Sequence, residues 1–222
     1  MKFSLRARIA AEFLGTAFLV AAVVGSGIMA ERLSVGNTAI ALLANTIATG
    51  AALVALILTV GPISGAHLNP VVSVADALIG GLPWREVWPY ILAQLTGGFA
   101  GTLLANAMFS LPLITLSRHV RSGPAQFLNE CVATFGLLCV IWGCSRSRPD
   151  AVPYAVASYI VAAYWFTAST SFANPAVTVA RCFSDTFAGI RLADVSLFVA
   201  AQFVGGLSAT WLFHRLRPVR VN

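Results

Sequence analysis

The chain has 222 residues, of which 58% are hydrophobic and only 10% charged, with a mean hydropathy of +0.83 and a formal net charge of +6. Soluble domains carry about 25% charged residues, so this composition excludes a water-facing globular fold and directs apolar surface toward lipid. Its Lys and Arg residues are split among short loops without a contiguous face, which excludes a nucleic-acid surface.

In chain order, six apolar stretches approach the ~20 residues that cross a bilayer: 9–30, 37–60, 87–110, 127–145, 153–170 and 195–214. The first follows Lys2, Arg6 and Arg8, as a signal peptide would. Its apolar run is too long for that role, and the pattern returns five more times. With both termini inside, Lys2, Arg6, Arg8, Arg85, Arg146, Arg148, Arg215, Arg217 and Arg220 share one side, against Arg32, Arg118, Arg121 and Arg191 on the other. Nine against four predicts cytoplasmic termini. Cys131, Cys139, Cys144 and Cys182 form no CxxC pair and read as small core hydrophobes, with neither a disulfide framework nor a metal site.

The sequence repeats itself in halves, 1–118 and 119–222, within one domain. AEFLGT (11–16), HLNPVVSVADAL (67–78) and AQLTGGFAGTLLA (93–105) return in the same order as NECVAT (129–134), FANPAVTVARCF (172–183) and AQFVGGLSATWLF (201–213). Glu12 thereby matches Glu130, Asn69 matches Asn174 and Gln94 matches Gln202. Each half holds three spans, an odd number, so the halves enter the membrane from opposite sides. Inverted repeats of this kind build their site at the midplane.

After each Asn-Pro comes a short helical run, 69–79 and 174–184, about 16 Å long at 1.5 Å per residue and so half a bilayer. Gly61, Pro62 and Gly65 are expected to separate the first run from the helix before it. These are re-entrant half-helices. Asn caps a helix start, and Pro suits the first helical position. Both positive dipole ends then point at the midplane, where two Asn amides oppose cations and still solvate neutral oxygen-bearing solutes. One Asn-Pro alone is an ordinary loop and cap. Two at matching repeat positions, followed by VSVA (72–75) and VTVA (177–180), are not.

These motifs resemble the aquaporin and aquaglyceroporin family along nearly the whole chain: Glu12-x-x-x-Thr16, Ser64-Gly65-Ala66-His67-Leu68-Asn69-Pro70, Glu130-x-x-x-Thr134, Asn174-Pro175-Ala176 and the paired Ala-Gln-x-x-Gly-Gly blocks. The resemblance implies an all-α integral membrane fold of six transmembrane helices plus two re-entrant half-helices. It also implies a pore in every protomer with Asn69 and Asn174 at its centre, a homotetramer in a bacterial inner membrane, and no cofactor.

Two departures stand out. Val71 replaces the family's usual Ala and is expected to be tolerated by repacking. Val177 stands where the family usually carries a filter Arg, three residues after the second Asn. By family spacing the selectivity filter falls on Thr49, Ala162, Ser171 and Val177, with no Arg, His or aromatic group, which implies a wide and weakly polar constriction. Arg181, one helical turn on, either lines the vestibule above that filter or neutralises the half-helix end beside Asp185. Asp76 opposes the dipole of its own half-helix and requires a cationic partner, for which Arg85 is available, or an aqueous mouth. Glu12 and Glu130 are expected to accept hydrogen bonds from re-entrant loop backbone, since an unpaired carboxylate within a span is costly. His67 resembles the family's pore-lining His of the cytoplasmic vestibule. His119 and His214 read as solvated loop residues, and the Gly pairs 97–98 and 205–206 as close helix contacts.

An intramembrane hydrolase would need a base for Gly25-Ser26-Gly27, and no His falls in a partner span, so no catalytic residue and no enzyme are expected. A coupled transporter would bury more ionisable groups, and a formate-type channel would lack the Asn-Pro pair. The stretch SDTFAGI (184–190), with Val177, is similar to aquaglyceroporins associated with bacterial arsenic resistance. That likeness implies small neutral solutes such as water, glycerol, arsenite and methylated arsenicals.

Overall fold

A computed structural model describes residues 3–216; the expected basic groups Lys2, Arg217 and Arg220 lie outside them. Every regular element among the described residues is helical. Six long helices, α1 (Leu5–Leu33), α2 (Thr38–Ser64), α4 (Trp84–Met108), α5 (Pro124–Ser147), α6 (Val152–Phe166) and α8 (Leu192–Arg215), fall on the six apolar stretches. Two short ones, α3 (Pro70–Leu78) and α7 (Pro175–Arg181), follow the Asn-Pro motifs. A helix satisfies every backbone group within its own segment, which a lipid environment demands. Five of the long helices have the length and apolarity to cross a membrane. The sixth, α6, has 15 residues and is preceded by a 3₁₀ turn at Pro149–Ala151.

The halves pack by the same scheme. In the first, α1 lies against α2 and α4; in the second, α5 lies against α6 and α8, and each short helix also contacts the opposite half. The glycine pairs explain how close these contacts become. A Cβ on Gly97 would run into the Phe13 carbonyl, and one on Gly205 into the Cys131 carbonyl, at repeat-matched places on α4 and α8. The next glycine of the second pair, Gly206, leaves room that the Val71 side chain fills. Val71 is fully buried there, so the larger residue in the first motif is absorbed by a glycine across the repeat.

Of Gly61, Pro62 and Gly65, expected to make the break, Gly65 makes it. Helix α2 continues through Pro62 to Ser64 and stops at Gly65, whose φ of 93° is the left-handed stop that glycine adopts without strain. Pro62 lies inside the last turn and removes one intrahelical bond, to the Leu58 carbonyl, without ending the helix. The short helices are also briefer than expected, nine and seven residues. At 1.5 Å per residue the longer reaches about 14 Å, just under half of a bilayer core of about 30 Å, and the shorter about 10 Å.

Candidate functional site

Two loops enter the protein from opposite ends and meet at its middle. They share one unusual backbone. Gly65, Ala66 and Leu68 have positive φ in the first loop, and Thr170, Ser171 and Ala173 have it in the second, each pair 105 residues apart. Five of these six are not glycine, and each such conformation costs about 1–3 kcal/mol unless its surroundings hold it. What holds it is a buried carboxylate in each half. Glu12 Oε1 accepts from the Ser64 hydroxyl (2.6 Å) and the His67 N–H (3.0 Å), and Oε2 from the Leu68 N–H (2.7 Å) and the Gln94 amide (2.8 Å). Glu130 accepts from the N–H groups of Phe172 (3.0 Å) and Ala173 (2.9 Å) and from the Gln202 amide (2.6 Å). Each Gln then donates to the half-helix hydroxyl four residues after the Asn: Gln94 to Ser73 (2.9 Å), Gln202 to Thr178 (2.8 Å).

The loops end in the two asparagines. Asn69 Oδ1 caps α3 by accepting from the Val71 N–H (3.0 Å), and Asn174 Oδ1 caps α7 from the Ala176 N–H (2.9 Å). Their amide nitrogens cross to the opposite loop. Asn69 Nδ2 donates to the Ala173 carbonyl (2.8 Å) and Asn174 Nδ2 to the Leu68 carbonyl (2.7 Å). An amide has two N–H groups, and only one of each is committed this way. Both residues line a single cavity of about 510 Å³.

That cavity gathers most of the residues singled out in the sequence. Thr49, His67, Ser171, Val177 and Arg181 all line it. Ala162 does not: it is exposed on the outer face of α6. The cavity-lining face of α6 runs through Val156, Ile160 and Tyr164, a four-residue step that leaves 162 on the far side. Tyr164, two residues on, lines the cavity, with its hydroxyl donating to Thr49 Oγ1 at 3.4 Å. The Ser171 hydroxyl is buried and has no hydrogen-bond partner among the described residues.

The charged groups also differ from expectation. Asp185 pairs with Arg118 (2.9 Å), leaving Arg181 to donate through Nε to the Ala188 carbonyl and to stack on Phe172, 3.4 Å from ring centroid to Cζ. Asp76 faces His67 Nε2 at 3.6 Å, and Arg85 forms no bond with it. The opposite His67 nitrogen, Nδ1, meets the Ser73 hydroxyl at 3.1 Å. Tyr164, Phe172 and Arg121 escaped the sequence reading. Phe172 was within reach, because it is the repeat partner of His67, 105 positions on. The Val156–Ile160–Tyr164 spacing was a usable signal for Tyr164, whereas none pointed to Arg121.

Apolar helices, two opposed Asn-capped half-helices and one cavity between them define a membrane pore protein. The comparisons agree. The family model described as Major intrinsic protein matches residues 1–152. The chain is 54% identical over 222 residues to the aquaglyceroporin AqpS of Rhizobium meliloti (strain 1021), covering 98% of this chain and 95% of that one. It is 31% identical to the probable aquaporin AqpM of Archaeoglobus fulgidus, covering 97% and 99%. The X-ray structure of the aquaglyceroporin from Plasmodium falciparum superposes with a TM-score of 0.73 at 22% identity, covering 96% of this chain and 97% of the other, a likeness of fold. The chain belongs to the major intrinsic protein family of membrane channels.

Proposed function

We propose that this protein is a passive channel for small uncharged solutes: water, glycerol-like polyols, arsenite and methylated arsenicals. One observation carries the reading, namely that two Asn-capped helix starts with uncommitted amide N–H groups face a single cavity. Such ends oppose cations and still solvate neutral oxygen. Asn69 and Asn174 are the pore centre in this reading. Thr49, Ser171, Val177 and Tyr164 form the narrowing, with His67 in the vestibule beside Asp76. Arsenite is the finer part of the proposal. It rests on Val177 in place of a large cation and on the SDTFAGI stretch, and the name aquaglyceroporin carried by the 54%-identical relative supports polyol passage.

The protein is further proposed to act as a homotetramer in a bacterial inner membrane with cytoplasmic termini. Its outer surface exposes large apolar side chains such as Leu14, Phe18, Ile47 and Trp88, which suits lipid or a second copy. Stopped-flow measurements on proteoliposomes, comparing water, glycerol, arsenite and a methylarsonous acid, test the solute class. Flux of glycerol and arsenite down a gradient without any proton or sodium gradient is expected. Accumulation against a gradient would overturn the channel reading, and glycerol flux without arsenite flux would overturn the metalloid part.

A further inference from the structure

The inverted repeat places a ring and a charge at each end of the cavity, and the two charges have opposite signs. Seven residues after each Asn stands an ionisable group, Asp76 in the first half and Arg181 in the second. Two residues before each Asn stands a ring, His67 and Phe172. In both halves the ring meets the charge: His67 Nε2 lies 3.6 Å from Asp76 Oδ2, and the Arg181 guanidinium lies 3.4 Å over Phe172. All four line the same cavity.

The Arg181 end is the unusual one. Its side chain is 2% exposed, and its acceptor within the protein is the Ala188 carbonyl, reached through Nε. A guanidinium has five N–H donors in a fixed plane, so the terminal nitrogens stay available at the cavity wall. No carboxylate among the described residues forms an ion pair with it. Asp185 is held by Arg118 (2.9 Å), and Asp194 by Arg191 (2.8 Å) and the Arg121 N–H (2.8 Å). Glu130 is engaged by two loop N–H groups and Gln202. A second cation lies over the same ring. Arg121 lies 4.9 Å from the Phe172 centroid and donates to the carbonyls of Gly189 (2.8 Å) and Ser169 (3.1 Å). It thereby ties down the segment whose Ala188 carbonyl holds Arg181. An unneutralised charge at membrane depth is costly, and where one is retained it acts on what passes.

We propose that Arg181 is the charge-selecting residue of this pore. It supplies, from one helical turn beyond Val177, a fixed cation that repels cationic solutes and offers N–H donors to the oxygens of neutral ones. Phe172 and Arg121 are positioning residues. Phe172 fixes the guanidinium plane, and Arg121 fixes the carbonyl that anchors it. Thr49 and Tyr164 form the facing wall, so the constriction is polar on both sides although position 177 is Val. The inference rests on the channel reading and refines it: the mouth is wide at 177 and charged at 181.

The test uses the intact protein in planar bilayers and proteoliposomes, with methylammonium as the cation probe and water flux as the sign of an open pore. The wild-type protein is expected to carry water and no methylammonium current. Arg181→Met, which keeps the bulk and loses the charge, is expected to raise methylammonium current per reconstituted protein at least about tenfold over wild type. Arg181→Lys is expected to stay near the wild-type current. Phe172→Leu, with the charge kept and its plane released, is expected to leak less than Arg181→Met. Should Arg181→Met fail to fold, Arg181→Gln replaces it, since its amide can still donate to the Ala188 carbonyl. Water flux without methylammonium current in the neutral variant overturns the role of Arg181, as does an Arg181→Lys leak equal to that of the neutral variant. A wild-type protein that passes neither water nor glycerol overturns the channel reading instead, which separates the two failures.

Discussion

The two re-entrant loops share a frame and differ in the groups it presents. In both, a buried Glu, a Gln and a hydroxyl hold a loop with three left-handed residues, and an Asn crosses to the opposite carbonyl. At matched positions the first carries His67 and Asp76, and the second carries Phe172 and Arg181. The shared part is what two buried, oppositely directed helix ends require to keep every backbone group satisfied. The divergent part lies where side chains meet the cavity. Repetition therefore conserved the scaffold and left the mouths free to diverge in sign.

The largest expected effect tests whether the two frames are equivalent. Glu12→Ala and Glu130→Ala each leave two buried loop N–H groups and one N–H of a Gln amide without an acceptor, at about 1–3 kcal/mol per orphaned group. Both variants are expected to lose most of their thermal stability in detergent, read by circular dichroism. Loss in one alone would break the equivalence.

Next come the glycine contacts. Gly97→Ala and Gly205→Ala drive a Cβ into the carbonyls of Phe13 and Cys131, and overpacking of this kind costs about 1–3 kcal/mol. Gly143→Ala serves as the control, because its nearest neighbour there is Phe213 at 3.8 Å, and it is expected to be neutral or stabilising in the same melt. Equal behaviour of all three would refute close approach as the reason for the glycines.

Val177→Arg sharpens the contrast between the mouths. A large, permanently ionised side chain would fill the space beside Arg181 on the same helix face. Flux of glycerol and methylated arsenicals is expected to fall severalfold more than water flux in stopped-flow assays. An unchanged ratio would move the narrowing away from 177.

The smallest effect lies in the loop beyond the cavity. The Arg118 backbone N–H and guanidinium hold the Asp185 carboxyl below its usual range. A depressed carboxyl stabilises above its unfolded pKa, and the contribution is lost as pH falls through the lower folded value. The exposed side chain of Arg118 limits the pair to below about 1 kcal/mol. Arg118→Gln is expected to shift the melting point by a degree or two at neutral pH, with the difference vanishing only under acid. A difference that grew in acid would have the wrong sign.

Much of this site was legible because a repeat provides its own control. Asn69 with Asn174, Glu12 with Glu130, and Gln94 with Gln202 declare themselves by position, and each stands where backbone polarity must be satisfied in an apolar surround. Ala162 went astray because counting back from Asn174 crosses the irregular loop 167–174, where three positive-φ residues break the helical register. Two residues of offset on a helix turn a side chain to the opposite face, so Ala162 is exposed on the outside of α6 and Tyr164 lines the cavity. Pairing of charges was equally beyond the sequence. Spacing offered Asp185 to Arg181 and Arg85 to Asp76, yet Arg118 and His67 reached those carboxylates first.

The sequence by itself determined the membrane setting, the two halves, the capped half-helices and the residues that hold them, because composition, period and local capping act over a few residues or recur in the repeat. Only the tertiary structure decided which side of α6 faces the cavity, which cation each carboxylate takes, and that Arg181 stacks on Phe172 with no ion-pair partner among the described residues. Those outcomes depend on directions in space between segments far apart in the chain, and no local rule fixes them.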